Sequence, residues 1–230
     1  MPVLKYYFDL LSQPSRAVYI FLKVANIPFQ SCPVALRTGE HQTEDFKSSM
    51  NRFQKVPFIH HGDFKLAESV AIVSYLARKY RDLIPNKWYP AESKAQARVD
   101  EYLAWQHASI RQPCATYFFY KYIIPAMTKS PPDETELAKL ESNLVTCLDQ
   151  LEELWLAPES KYIAGDSISV ADIFAASELE QTRLAAYDVT KDRPILKSWL
   201  DRVRQECNPA YSEAHAVLNR LVAKNSQSKL

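Results

Sequence analysis

A chain of 230 residues, 47% of them hydrophobic and 24% charged, is long enough for one large domain or two small ones with a real core. Its 28 basic and 27 acidic residues leave a formal net charge of +1, which offers no electrostatic footprint for a nucleic-acid backbone or an anionic membrane surface, so neither is expected as a partner. The opening Met1-Pro2-Val3-Leu4-Lys5 lacks the basic segment, apolar run and small-residue cleavage site of a secretory signal, and no stretch is apolar enough to span a bilayer.

Val3 to Phe8 alternates apolar and mixed residues with aromatic enrichment, the pattern of a strand. A helix follows in which Pro14 suits the first turn and Ala17, Val18, Ile20, Phe21 and Val24 recur at helical spacing, until Asn26-Ile27-Pro28 ends it. Ser31 to Leu36 reads as a second strand and Thr43-Glu44-Asp45-Phe46 as a short capped helix. Val56-Pro57-Phe58-Ile59 and Phe64-Lys65-Leu66 flank His60-His61-Gly62-Asp63 as an antiparallel hairpin, and Ser69 is expected to cap a helix through Val70, Ile72, Val73, Leu76 and Tyr80. The order β-α-β-α-β-β-α is that of a thioredoxin-like α/β domain over residues 1–81. Residues 82–91, with Ile84-Pro85-Asn86-Lys87-Trp88-Tyr89-Pro90, read as a packed linker.

No convincing strand follows, so residues 92–230 are expected to be an all-helical domain. Ala95 to Gln112 forms a long helical pattern, Pro125 and Pro131-Pro132 punctuate, and Leu137, Leu140, Leu144, Leu148, Leu151 and Leu154 make a stripe that suits a bundle core. Ser169 with Asp172 three residues on, and Ile168 stapled to Ile173, mark a helix start.

Three further counts exclude chemistry. Gly39, Gly62 and Gly165 are the only glycines, too scattered for a Walker loop or a dinucleotide fingerprint. His41, His60, His61, His107 and His215 include no His-x-x-x-His with a neighbouring Glu, so no metal is expected. Cys32, Cys114, Cys147 and Cys207 form no Cys-x-x-Cys and suit small core residues of a reduced intracellular chain.

At the first strand-to-helix corner, Leu10-Leu11-Ser12-Gln13-Pro14-Ser15-Arg16 sets two hydroxyls where many redox domains set Cys-x-x-Cys against a helix N-terminus. This block from Asp9 to Phe21, with Lys55-Val56-Pro57, Gly62-Asp63-Phe64, Glu68-Ser69, Trp88-Tyr89-Pro90, Arg98 to Leu103, Trp105-Gln106-His107 and Ser169 to Asp172, resembles the cytosolic glutathione transferases of the theta class. The resemblance runs from residue 3 to about residue 220.

A free thiol of pKa about 8.5 needs about 2.7 kcal/mol of preferential thiolate stabilisation to fall by ~2 units. A serine hydroxyl donating to sulfur at a helix N-terminus supplies part of it, so glutathione, the co-substrate, becomes the nucleophile and no separate cofactor is implied. The resemblance places this role on Ser12, which read alone could simply support the turn. It implies further that Val56 before a cis Pro57 pairs strand-like with the cysteinyl part of glutathione. Glu68 and Ser69 would take its γ-glutamyl end, and His41 and Lys55 its glycine carboxylate. Gln42 stands where the family often has lysine, which implies a weaker grip on that carboxylate.

Arg111 matches an arginine near the sulfur; read alone it suits a surface salt bridge. Tyr117, Phe118, Phe119, Tyr120 and Tyr122 could wall a pocket for a small hydrophobic electrophile or belong to the bundle core. The chain runs only a little beyond Val222, where vertebrate theta proteins carry a further capping segment, which implies a more open pocket. The implied activity is conjugation of glutathione to small electrophiles, with reduction of organic hydroperoxides beside it. A non-catalytic ligand-binding or scaffold protein on the same fold is the alternative. A homodimer is implied, in which Asp100 reaches the partner's glutathione or sits on a solvated face. The final Ser228-Lys229-Leu230 is the tripeptide read by peroxisomal import receptors, so a cytoplasmic protein with peroxisomal import is expected.

Overall fold

A computed structural model describes residues 2–156 and 160–227. Ser228-Lys229-Leu230 lies outside the described residues. The first unit comprises β1 (Leu4–Phe8), α1 (Gln13–Val24), β2 (Gln30–Pro33), β3 (Phe58–His61), β4 (Phe64–Ala67) and α2 (Ser69–Lys79). Its sheet runs β2-β1-β3-β4, with β1 parallel to β2 and antiparallel to β3, and β3 antiparallel to β4. This is the expected thioredoxin-like arrangement. Successive side chains of β1 take opposite faces: Leu4, Tyr6 and Phe8 join the main core with Val18, Phe21, Ile72 and Leu76, while Tyr7 joins Val34, Phe46, Val56 and Phe58 on the other side.

Three local readings need correction. The hairpin turn is Gly62-Asp63 alone, because His60 and His61 pair in the ladder with Lys65 and Phe64, and Val56-Pro57 lie before the strand. β2 stops short of Leu36 because Pro33 has no N–H to give, and after the Val34 N–H bonds Phe8 O at 2.8 Å the chain tightens into a 3-10 turn at Leu36–Thr38. Ser69 is not the cap of α2 but its first residue. Glu68 occupies the cap position at φ +68°, and the turn offers no side-chain cap bond. Thr43 Oγ1 accepts the Phe46 N–H at 3.2 Å where the short helical turn Phe46–Met50 begins, and Gly62 takes the left-handed φ of +64° that the hairpin turn requires.

The second unit holds α3 (Ser93–Gln106), α4 (Gln112–Phe118), α5 (Ile124–Thr128), α6 (Glu134–Gln150), α7 (Val170–Gln181), α8 (Pro194–Glu206) and α9 (Ala210–Gln227). α3, α4 and α5 form one helical run, joined by π turns at His107–Arg111 and Phe119–Ile123. Pro125 therefore does not break the run. It and Pro113 each sit in the first turn after a π turn, where the widened backbone relieves the clash a proline ring makes inside an α-helix. On α6, Leu144 and Leu148 are buried and Leu151 follows them into the core. Leu154 is exposed, because a π turn at Leu151–Trp155 shifts the phase of the stripe.

α7 is the centre of this unit, with all twelve residues buried. Its start is the expected capping box: Asp172 Oδ2 accepts from Ser169 N at 2.9 Å, and Ala171 N donates to Ser169 Oγ at 3.2 Å. The other Asp172 oxygen accepts from Ile163 N at 2.9 Å and Trp199 Nε1 at 2.8 Å. The connection is packed as expected: Trp88 and Tyr89 are buried, and Trp88 O accepts the Val170 N–H at 2.9 Å. Among the described residues no helix is long and apolar enough to cross a membrane.

Candidate active site

The strand pairings bring four segments to one end of the sheet. Tyr7 lies opposite Phe58, Phe58 opposite Ala67, and Phe8 beside Pro33. The corner after β1 carrying Ser12, the approach to β3 carrying Lys55, Val56 and Pro57, the exit of β4 carrying Glu68 and Ser69, and the loop after β2 carrying His41 therefore leave the sheet at the same edge.

Ser12 is the N-cap of α1 with φ −82° and ψ 126°. Asp9 builds the corner around it: its carbonyl accepts Ser12 N at 3.0 Å, Oδ1 accepts Leu11 N at 2.8 Å, and Oδ2 accepts Leu36 N at 3.2 Å. Ser12 Oγ accepts the Ser15 N–H at 3.4 Å, which uses an acceptor lone pair and leaves the hydroxyl proton to point away from the helix. Ser15 differs in being wholly buried, its own Oγ without a protein partner. No acidic residue in the first turn offsets the positive end of the helix dipole. Tyr7 remains in the strand, stacked on Phe58 with ring centres 4.4 Å apart.

The Val56–Pro57 peptide is cis, and the ladder of β3 begins only at Phe58, so the Val56 backbone lies outside it. Asn51 Nδ2 donates to Lys55 O at 2.8 Å and Asn51 Oδ1 accepts Phe53 N at 3.2 Å, which braces this approach. The Lys55 and Glu68 side chains are exposed, Ser69 is buried, and His41 is half-buried with Nδ1 enclosed and unpartnered.

Arg111 belongs to the other unit, in the π turn after α3, and it is not a surface pair. Its Nη1 donates to Oε1 of Glu178 on α7, a carboxylate 2% exposed, while the Arg111 side chain remains 35% exposed. Burial pushes the Glu178 carboxyl up, and the charges of Arg111 and Arg16 oppose that. Asp100 is exposed on α3 and accepts the Tyr89 hydroxyl of its own linker at 2.5 Å. The aromatic run divides: Tyr117 is core, its ring edge-on to Tyr187; Phe118 stacks on Tyr122 beside Leu184 and Leu218; Phe119 is exposed. A cavity of about 1220 Å³ lined by Tyr122, Leu184, Tyr211, His215 and Val222 includes no residue of the Ser12 corner.

Several residues of this region escape a reading of the sequence. Arg16, wholly buried, has its guanidinium pulled down to about 10 by burial, against the favourable charges of Glu178 and Glu180, and so stays charged at neutral pH. Asp9, Glu178 and Gln181 are equally silent in the pattern. The one visible signal is that Arg16 interrupts the apolar face of α1 next to Ala17 and one turn before Ile20.

Residues 2–78 match the family model of the glutathione S-transferase N-terminal domain, and residues 113–206 match that of the C-terminal domain. Glutathione S-transferase theta-1 of Bos taurus is 43% identical over 97% of this chain and 91% of its own length. The chain belongs to the theta-class glutathione S-transferases. Human glutathione S-transferase T1-1 in its apo form matches this theta-class chain with a TM-score of 0.90 at 40% identity, covering 96% of this chain and 91% of the other. Human glutathione transferase theta-2, solved with glutathione and an unknown ligand, matches with a TM-score of 0.88 at 32% identity, covering 99% and 92%. As a theta-class transferase the protein takes glutathione as co-substrate, and this membership favours catalysis over a non-catalytic ligand-binding or scaffold role.

Proposed function

We propose that Ser12 is the group that activates glutathione, its hydroxyl donating a hydrogen bond to the sulfur that stabilises the thiolate as the thiol gives its proton to solvent. The observation that carries this reading is the division of labour on Ser12 Oγ: an acceptor lone pair is engaged by Ser15 N, while the donor is left free at a half-buried helix N-terminus. Val56 pairs with the cysteinyl backbone, Glu68 with the γ-glutamyl ammonium, Ser69 and the α2 amides with its carboxylate, and His41 and Lys55 with the glycine carboxylate. Arg111 faces the developing anion. The thiolate attacks a small hydrophobic electrophile such as an alkyl halide, forming the carbon–sulfur bond as halide leaves, or attacks the terminal oxygen of an organic hydroperoxide, forming a sulfenic acid as the O–O bond breaks and the alcohol leaves, after which a second glutathione gives the disulfide and water.

The same reading divides the chain into a glutathione-binding domain (1–81), a linker (82–91) and a helical domain lining the electrophile pocket (92–230). It pairs two copies as a homodimer and assigns the protein to the cytoplasm, with import into peroxisomes through Ser228-Lys229-Leu230. The import claim is tested by an N-terminal fluorescent fusion with and without the last three residues; a diffuse signal from both removes it. The activity is tested by turnover with glutathione against a panel of halides, epoxides and hydroperoxides. Conjugation or peroxide reduction is expected, and a folded protein that binds glutathione yet turns over no member of the panel refutes the reading.

A further inference from the structure

Arg16 stands where a cation is least expected. A positive charge in the first turn opposes the helix dipole, and burial withdraws it from water. An apolar side chain would continue the Ala17, Ile20 and Phe21 face of α1 without either penalty. The arginine is instead held by four hydrogen bonds that divide evenly between the two units of the fold. Nη1 donates to Leu10 O at 2.9 Å and Leu11 O at 3.3 Å; Nη2 donates to Ser177 O at 3.1 Å and Gln181 Oε1 at 2.7 Å. The Leu11 carbonyl belongs to the peptide whose nitrogen is that of Ser12. Beside Ser177 stands Glu178, the carboxylate that holds Arg111 through one oxygen and keeps the other buried without a protein donor.

We infer that Arg16 is a positioning residue for glutathione activation: its planar fork fixes the two peptides leading into Ser12 against the same turn of α7 that fixes Arg111. The inference rests on Ser12 being the activating hydroxyl. Ser12 and Arg111 lie in different domains, yet both take their position from residues 177–181, so a slip of α1 along α7 displaces one relative to the other. A donor that must meet a developing thiolate at hydrogen-bond distance is sensitive to such a slip.

Arg16→Lys keeps the charge and removes the fork, since a single ammonium is a point donor that does not span acceptors on two elements. Gln181→Ala removes one acceptor and leaves Arg16 in place. The readout is the thiolate absorbance of bound glutathione titrated against pH, in the wild type, both variants and Ser12→Ala. In Arg16→Lys the pKa of the bound thiol is expected to rise by about one unit and kcat/KM at neutral pH to fall about tenfold, with glutathione affinity changed by less than about threefold. Gln181→Ala is expected to shift the thiol the same way by a smaller step. An Arg16→Lys protein whose bound thiol titrates as in the wild type overturns the inference. If that variant does not fold, a wild-type titration in Gln181→Ala overturns it. Ser12→Ala reports on its own residue: an unshifted thiol there refutes the Ser12 assignment and removes the basis of the positioning role, whereas a shift there with none in Arg16→Lys refutes the positioning role alone.

Discussion

Replacing Ser12 by alanine separates chemistry from folding, because the two jobs of the hydroxyl carry different weights. As an N-cap it accepts from Ser15 N at 3.4 Å, the long end of a hydrogen bond, so its loss belongs at the low end of measured cap substitutions, about 0.5 kcal/mol. With an unfolding entropy of roughly 2.1 cal/mol/K per residue over 230 residues, that moves Tm by only about 1 °C. As a donor to a thiolate it makes a hydrogen bond to a charged group, worth about 1.5–3 kcal/mol, or roughly one to two units of thiol pKa. Turnover at pH 6.5, below the pKa of the variant's bound thiol, is therefore expected to fall roughly 10- to 150-fold. The deficit narrows toward pH 9, where the thiol ionises without help. Steady-state rates at both pH values, the thiolate absorbance of bound glutathione and a thermal melt check all three numbers. Near-wild-type turnover at pH 6.5 with the thiolate band intact refutes the assignment. A fall in Tm beyond about 5 °C shows instead that Ser12 serves the turn.

Asp172→Asn leaves two of the four donors around that side chain without an acceptor, at about 1–3 kcal/mol each; a loss of about 4 kcal/mol and roughly 8 °C in Tm is expected, and a drop under about 2 °C counts against the capping box as the keystone of α7. His215 donates Nδ1–H to Tyr211 O and is held neutral down to about pH 3 by burial and by the charge of Arg16. Its folded pKa lies below the unfolded value of about 6.5, so the stability it carries is complete above that value and is lost as pH falls toward the folded one. Denaturant midpoints are expected to report about 2 kcal/mol lost between pH 7 and pH 5, a slope that His215→Phe removes; an unchanged slope in the variant refutes the attribution. Light scattering at micromolar concentration is expected to give twice the chain mass, and a monomer mass refutes the homodimer.

What the sequence discloses is what depends on neighbours along the chain. The α1 stripe, the Ser169–Asp172 box and the packed Trp88-Tyr89 connection are each written within a few residues, and each is found where the pattern puts it; the hairpin is found too, with its turn narrowed to Gly62-Asp63. The departures arise where distant contacts set the outcome. Glu68 takes a left-handed φ that few residues other than glycine, asparagine or aspartate favour, so no residue preference announces it. The π turns preceding Pro113 and Pro125 keep a helix running through residues that locally signal its end. Arg111 meets Glu178 sixty-seven residues away, and Arg16 meets Gln181 at a separation of 165; neither pairing leaves a mark on local spacing. For the candidate site, the corner motif and the proline loop were legible, while the buried ion system behind them was not.

The burial of α7 on every side has a consequence for how the protein comes apart. A helix without a solvent face has no amphipathic means of standing alone, and its wrapping comes from both halves of the chain: α1 on one side, α3, α4 and α8 on the others. Pulling the halves apart would strand Ser177 and Gln181 without the guanidinium that binds them and leave that guanidinium with half of its acceptors. The proposed division between residues 81 and 92 is thus a change in chain path and not a seam of cooperativity. The molecule is expected to melt in a single calorimetric transition whose van't Hoff and calorimetric enthalpies agree, and a protease that cuts the connection should release no folded half.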